Sequence, residues 1–156
     1  MKFFTPEWAE ADEATQKRVA AEYRRALQEM SSTCPAAILD FARQHTVHDG
    51  QVTKLEINPA DRSAVLHFHG WNPRFDERRL YTLVYRDLGG FCEFGPPDSY
   101  SRCTRSIDAS FDEFTAAGAG TFEHCILFHS EVELRFTFKR FEFSYEVTPL
   151  RRAQLN

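Results

Sequence analysis

Through the first 30 residues the apolar positions fall three and four apart. Trp8, Ala11, Thr15, Val19, Tyr23, Leu27 and Met30 share one face of a helix. Thr5 suits the N-cap, Pro6 the first helical position, and Glu7 and Glu10 the positive end of the dipole. The spacing predicts one helix from Pro6 to Met30. The stretch "MSSTCP" then breaks the pattern. Thr33 or Cys34 caps a second helix, entered through Pro35, with Ile38, Phe41 and Ala42 inward and its end near His45. Residues 1–46 read as a helical hairpin.

From Gln51 the period changes to two. Residues 51–58 and 63–69 read as strands around a turn at 59–62, and 78–87 as a third strand. Residues 88–102 are rich in Gly, Pro and Ser and read as a long loop. Strands at 110–116 and 121–129 flank "AGAG", and two more complete a meander. In these last two, Val132, Leu134, Phe136 and Phe138 alternate with Glu133, Arg135 and Thr137. Phe141, Phe143, Tyr145 and Val147 alternate with Glu142, Ser144 and Glu146. That pattern is an antiparallel sheet with one buried and one wet face. The fold class expected is therefore α+β, an N-terminal helical hairpin packed on one face of a mostly antiparallel meander sheet. A single domain spans 1–156, with the sheet over 51–148 and a loose tail at 149–156.

Composition narrows the function classes. With 15 Phe among 156 residues, the chain can bury about two-thirds of its unfolded surface and fold without a staple. Net charge is −4, and no Lys/Arg cluster is long enough to track phosphates, so no nucleic-acid partner is expected. The basic and aromatic residues that alternate over 78–86 read as a solvated strand face. Cys34, Cys92, Cys103 and Cys125 form no C-x-x-C, and "MKFFTPEWAEADE" turns acidic where a signal's apolar core would run. Free thiols in a reducing cytoplasm are expected, Cys92 and Cys103 included, although those two flank the long loop and could approach each other. No 18-residue apolar run exists, so no membrane span is expected.

The strongest metal-like signal is His67-x-His69. Leu55 should pair with Leu66 and Ile57 with Ala64, because opposed residues share a face. His67 then opposes Lys54 and His69 opposes Val52, and both turn away from the core. A catalytic metal needs a third ligand. His48 would lie four residues along the strand from His69, roughly 13 Å away. A solvated face is the reading, with no metal and no cofactor. His48-Asp49-Gly50 reads as a turn. The alternative is a polar pocket at the helix–sheet junction, lined by His48, Asp49 and His69 or Trp71. His124 shares an apolar face with Phe122, Ile126 and Phe128 and reads as a satisfied core histidine. Glu113, with Asp108 and Asp112, reads as a wet strand edge rather than a cation site. Cys125 and His129 are four apart on a strand, too distant for a thiol–imidazole dyad.

Three stretches carry a resemblance: the start "MKFFTPEW", the run from Tyr23 through Pro35 to His48-Asp49 and the following strand, and "SFDEFTAAGAGTFEHCILFHSEVELRFTFKRFEF" in the last third. Together they resemble an uncharacterised family of small bacterial proteins, a domain-of-unknown-function group. The resemblance implies bacterial origin and singles out His48, Asp49, Glu113 and His124 as polar positions to test. Val47 departs from the leucine of that pattern. With no catalytic constellation, the function expected is a non-enzymatic, immunity-type or accessory module that binds another protein. The alternative is a small-ligand binder or metal-dependent enzyme using the junction pocket around His48, Asp49 and His69.

Overall fold

The structure, a computed structural model, describes residues 1–95 and 108–149. The fold is α+β, with three helices and an eight-stranded antiparallel sheet among the described residues. Thr5 caps α1 as expected, but α1 is a single turn, Pro6–Ala9. Asp12 then starts α2, Glu13–Met30, by accepting the Thr15 amide at 2.8 Å. The single helix expected from Pro6 is thus two. An aspartate at that point offers the backbone a side-chain acceptor that competes with continuing the helix. The corner is held by Trp8 Nε1 on the Gln16 carbonyl and by Gln16 Nε2 on the Ala9 carbonyl. α2 buries Tyr23, Leu27 and Met30, the row the spacing marked. α3, Ala36–Gln44, follows Pro35, whose fixed φ starts it without a side-chain cap. Neither Thr33 nor Cys34 caps it.

The strands are β1 (Gly50–Asn58), β2 (Ser63–Trp71), β3 (Arg78–Arg86), β4 (Gly90–Phe94), β5 (Asp108–Gly118), β6 (Thr121–Phe128), β7 (Glu133–Phe138) and β8 (Arg140–Val147). The expected loop from 88 thus begins with a strand, β4, which pairs with β7. The remainder of that loop, with Cys103, and the tail from 150 lie outside the described residues. The order is β4-β7-β6-β5-β1-β2-β3-β8. It is not one meander but two, β1–β3 and β5–β7, joined where Gly50 and Gln51 pair with Ala109 and Asp108.

The two ends of that order are themselves joined. β3 runs into β4 through Asp87, which sits at φ 54°, and β7 runs into β8 through Lys139. β3 pairs with β8, β4 with β7, and Gly89 N and Lys139 N bond across the bend to Thr137 O and Arg86 O. Two bent lengths of chain therefore pair along both halves, and the sheet closes on itself. Among the described residues, β4 and β8 each keep one edge without a strand neighbour.

The register Leu55↔Leu66 and Ile57↔Ala64 holds, and His67 faces Lys54. A bulge at Thr53 then shifts the ladder, so His69 opposes Gln51 rather than Val52. Inside, α3 packs against β8 and β5, and α2 against β5. Phe41 of α3, fully buried, meets the rings of Tyr81, Phe114, Phe141 and Phe143 at 5.2–6.0 Å. Such a ring contributes about 1.5–3 kcal/mol by burial. Along β8 the expected inner row fades. Phe141 is buried, but Tyr145 and Val147 are 42% and 57% exposed, because the strand outruns its cover.

A cleft between the helices and the fifth strand

A cleft of about 680 Å³ opens where α1, α2 and α3 meet β5. Phe4, Trp8, Tyr23 and Phe111 form its aromatic wall, and Arg24, Arg43, His45, Thr46, His48 and Asp112 its polar lining. Trp8 meets Phe111 edge-on at 5.0 Å, and Phe4 meets Trp8 and Tyr23 at 4.9 Å each. Phe4 is placed by Glu113. That carboxylate is 1% exposed and accepts the backbone N–H groups of Lys2, Phe3 and Phe4, the last two at 2.8 and 3.2 Å. Glu113 is therefore no wet strand edge. Three amide donors replace the water that a buried carboxylate loses. The Met1 ammonium bonds Glu133 close by.

Asp112 ends a buried polar chain. Its Oδ2 lies 3.0 Å from His124 Nε2, and His124 Nδ1 lies 2.8 Å from the Tyr85 hydroxyl. His124 is fully buried and stacks on Phe114 at 3.9 Å. With the carboxylate accepting, His124 donates from Nε2, and Nδ1 accepts the Tyr85 proton. Burial, and then the charge of Asp112, push the Tyr85 hydroxyl well above its usual range, so it stays a donor. Phe114 N donates to the Tyr23 hydroxyl at 2.9 Å, tying the cleft wall to β5. The side chain of Asp112 is 13% exposed. The chain thus runs from the closed interior to the cleft, and its outer end is a carboxylate.

Two histidines line the cleft with Nδ1 in opposite roles. His48 Nδ1 donates to the Ser110 carbonyl at 2.5 Å, and its ring stacks on Phe111 at 5.3 Å. His45 Nδ1 accepts from Arg79 Nη1 at 3.1 Å, which puts its hydrogen on Nε2. Burial, then the Arg79 charge, hold His45 below the usual histidine value. Comparison with family models, curated proteins and solved structures finds no match to this chain.

The remaining candidates fall elsewhere. Asp49 is in the expected turn, at φ 55°, and its carboxylate lies between His48 Nε2 at 3.7 Å and His129 Nε2 at 3.8 Å, beside the cleft but not lining it. His67 and His69 sit on the face of β2 opposite the buried Ala64, Leu66 and Phe68. His67 Nδ1 meets Thr82 Oγ1 at 3.1 Å. The buried Nδ1 of His69 has no hydrogen-bond partner among the described residues. Neither these two nor Trp71 reaches the cleft, so the junction pocket keeps His48 alone from its expected lining. Among the described residues, no group of three His, Cys, Asp or Glu side chains is placed to hold a metal ion. Cys125 is buried, and burial raises its thiol far above the usual value, as burial raises Cys34 to about 11. Neither thiol is activated.

Sequence reasoning placed Asp112 on a wet strand edge and passed over Tyr85, Arg24, Arg43 and Phe111 as site residues. One local signal was available: in "SFDEFT" two carboxylates sit between phenylalanines, and a sheet buried around such a strand must satisfy both.

Proposed function

We propose that the protein binds a small ligand in the cleft between α2, α3 and β5. One observation carries this reading: the buried chain Tyr85–His124–Asp112 ends in a carboxylate at the cleft. An apolar trio would hold the interior at least as well, since buried polar networks seldom add net stability. The volume suits a small molecule, and an aromatic wall with few convergent polar groups is the usual build of such sites. The positions that carry the resemblance to the small bacterial family surround the same place. Phe4 and Tyr23 form the wall, His48 lines it, Glu113 holds Phe4, and His124 backs Asp112. In this reading the helices form a hairpin that roofs the sheet and supplies the upper wall.

The test is titration of the ¹⁵N-labelled protein with a library of small aromatic and charged fragments. Shift changes should cluster on Phe4, Trp8, Arg24, Arg43, Phe111 and Asp112. Changes confined to other surfaces, or none, would overturn the reading. A protein partner is the second reading, favoured by Arg79 stacked 4.1 Å over the exposed ring of Tyr145, beside exposed Val147. Arginine and tyrosine together are typical interface anchors. It predicts a salt-sensitive complex in pull-downs that Tyr145→Ala abolishes. An unchanged complex would count against that face.

A further inference from the structure

We infer that the ligand of this cleft is a nucleoside phosphate. The inference rests on the small-ligand reading and names its chemistry. Arg24 and Arg43 both line the cleft, and among the described residues neither has a carboxylate partner. Arg43 contacts the Gln28 side-chain oxygen at 3.3 Å, a neutral group. The two arginines share the cleft lining with one carboxylate, Asp112, in a chain of net charge −4. Their local excess positive charge therefore runs against the whole protein, which is complementarity to an anion. Two guanidiniums match the charge and the several acceptor oxygens of a phosphate better than a single carboxylate.

The rest of the cleft matches a base. Trp8 lines the cleft edge-on to Phe111, and an aromatic wall of this kind can stack a planar group, which tolerates any nucleobase. Asp112 supplies an acceptor held in place by buried His124. His45 supplies an N–H. A nucleobase edge presents donors and acceptors of this kind. A volume of about 680 Å³ accommodates a mononucleotide.

The experiment follows the Trp8 indole N–H and the backbone amides of Arg24, Arg43 and Phe111 by NMR. The probes are GMP, AMP, guanosine, inorganic phosphate and benzoate. A nucleotide should bind at least about ten-fold more tightly than its nucleoside or inorganic phosphate alone, as two charge-assisted contacts imply. Arg24→Glu/Arg43→Glu should erase that advantage, so that the nucleotide binds no more tightly than guanosine. Both arginines are exposed, and the spectrum itself reports that the variant is folded. Asp112→Asn should weaken nucleoside and nucleotide together. If GMP and AMP bind no better than guanosine, or equally well after the arginine substitutions, the inference fails. Benzoate binding in their place would overturn the nucleotide and keep the small-ligand reading. Silence from every probe would overturn the nucleotide and leave the small-ligand reading to the fragment titration.

Discussion

His124 and His67 stand on strands of one closed sheet, yet they are different objects. His124 points inward, is fully buried, and has a partner on each ring nitrogen. His67 points outward and meets Thr82 on one nitrogen, with the Glu56 carboxylate 3.8 Å from the other. Only the outer one belongs to a motif that looks like chemistry. The inner one, flanked by phenylalanines, looks like filler and yet positions the only carboxylate lining the cleft among the described residues. Spacing along a strand shows which face a side chain takes. What lies on that face is set by strands distant in sequence.

The largest test of this contrast is His124→Leu. It leaves the Tyr85 hydroxyl and Asp112 Oδ2 without their partner, and urea denaturation should show a loss of about 2–5 kcal/mol. Adding Tyr85→Phe should recover part of it, since one orphaned group is then removed. A loss below about 1 kcal/mol would mean the chain is not a working unit. Gly70→Ala comes next. The added methyl would lie 2.8 Å from the Phe68 ring, which is stacked on Tyr81 at 4.7 Å and cannot withdraw. Overpacking of this kind costs about 1–3 kcal/mol. On the outer face of the same strand, His67→Ala should change stability by no more than about 1 kcal/mol. A larger effect would show that the outer histidine carries more than its threonine contact.

A pH test sharpens the comparison least in size but most in sign. Burial, then Arg79, hold folded His45 below its usual value of 6.5. Its contribution is thus complete above pH 6.5 and is lost as pH falls through the folded value, where the unfolded chain already binds the proton. The urea midpoint should fall on acidification from about pH 7.5 toward 5.5, and His45→Gln should flatten that part of the slope. Glu133, also lowered, acts only below its ordinary value of 4.5 and leaves this window clear.

Much of the fold was legible because it follows from one side chain meeting either solvent or core. The period changed from helical to two at Gln51, and β1 does begin at Gly50. Leu55 and Ile57 found Leu66 and Ala64 because a slip would have turned every apolar residue outward. The bulge at Thr53 was not legible, since one extra residue leaves the alternation on either side intact. Nor was the break at Asp12, where the apolar spacing runs straight through the corner.

The amino-acid sequence by itself determined the change from helices to strands, the register of the first hairpin up to its bulge, and His124 as a histidine inside the core. Only the tertiary structure decided that β3 and β4 pair with β8 and β7, so that the sheet closes. Only it brought Tyr85 to His124 across 39 residues of chain, and Glu113 to Phe3 across 110. Local pattern is set by burial alone, which any apolar neighbour satisfies. Which polar atoms meet depends on how the bent strands close, and that geometry belongs to the whole chain.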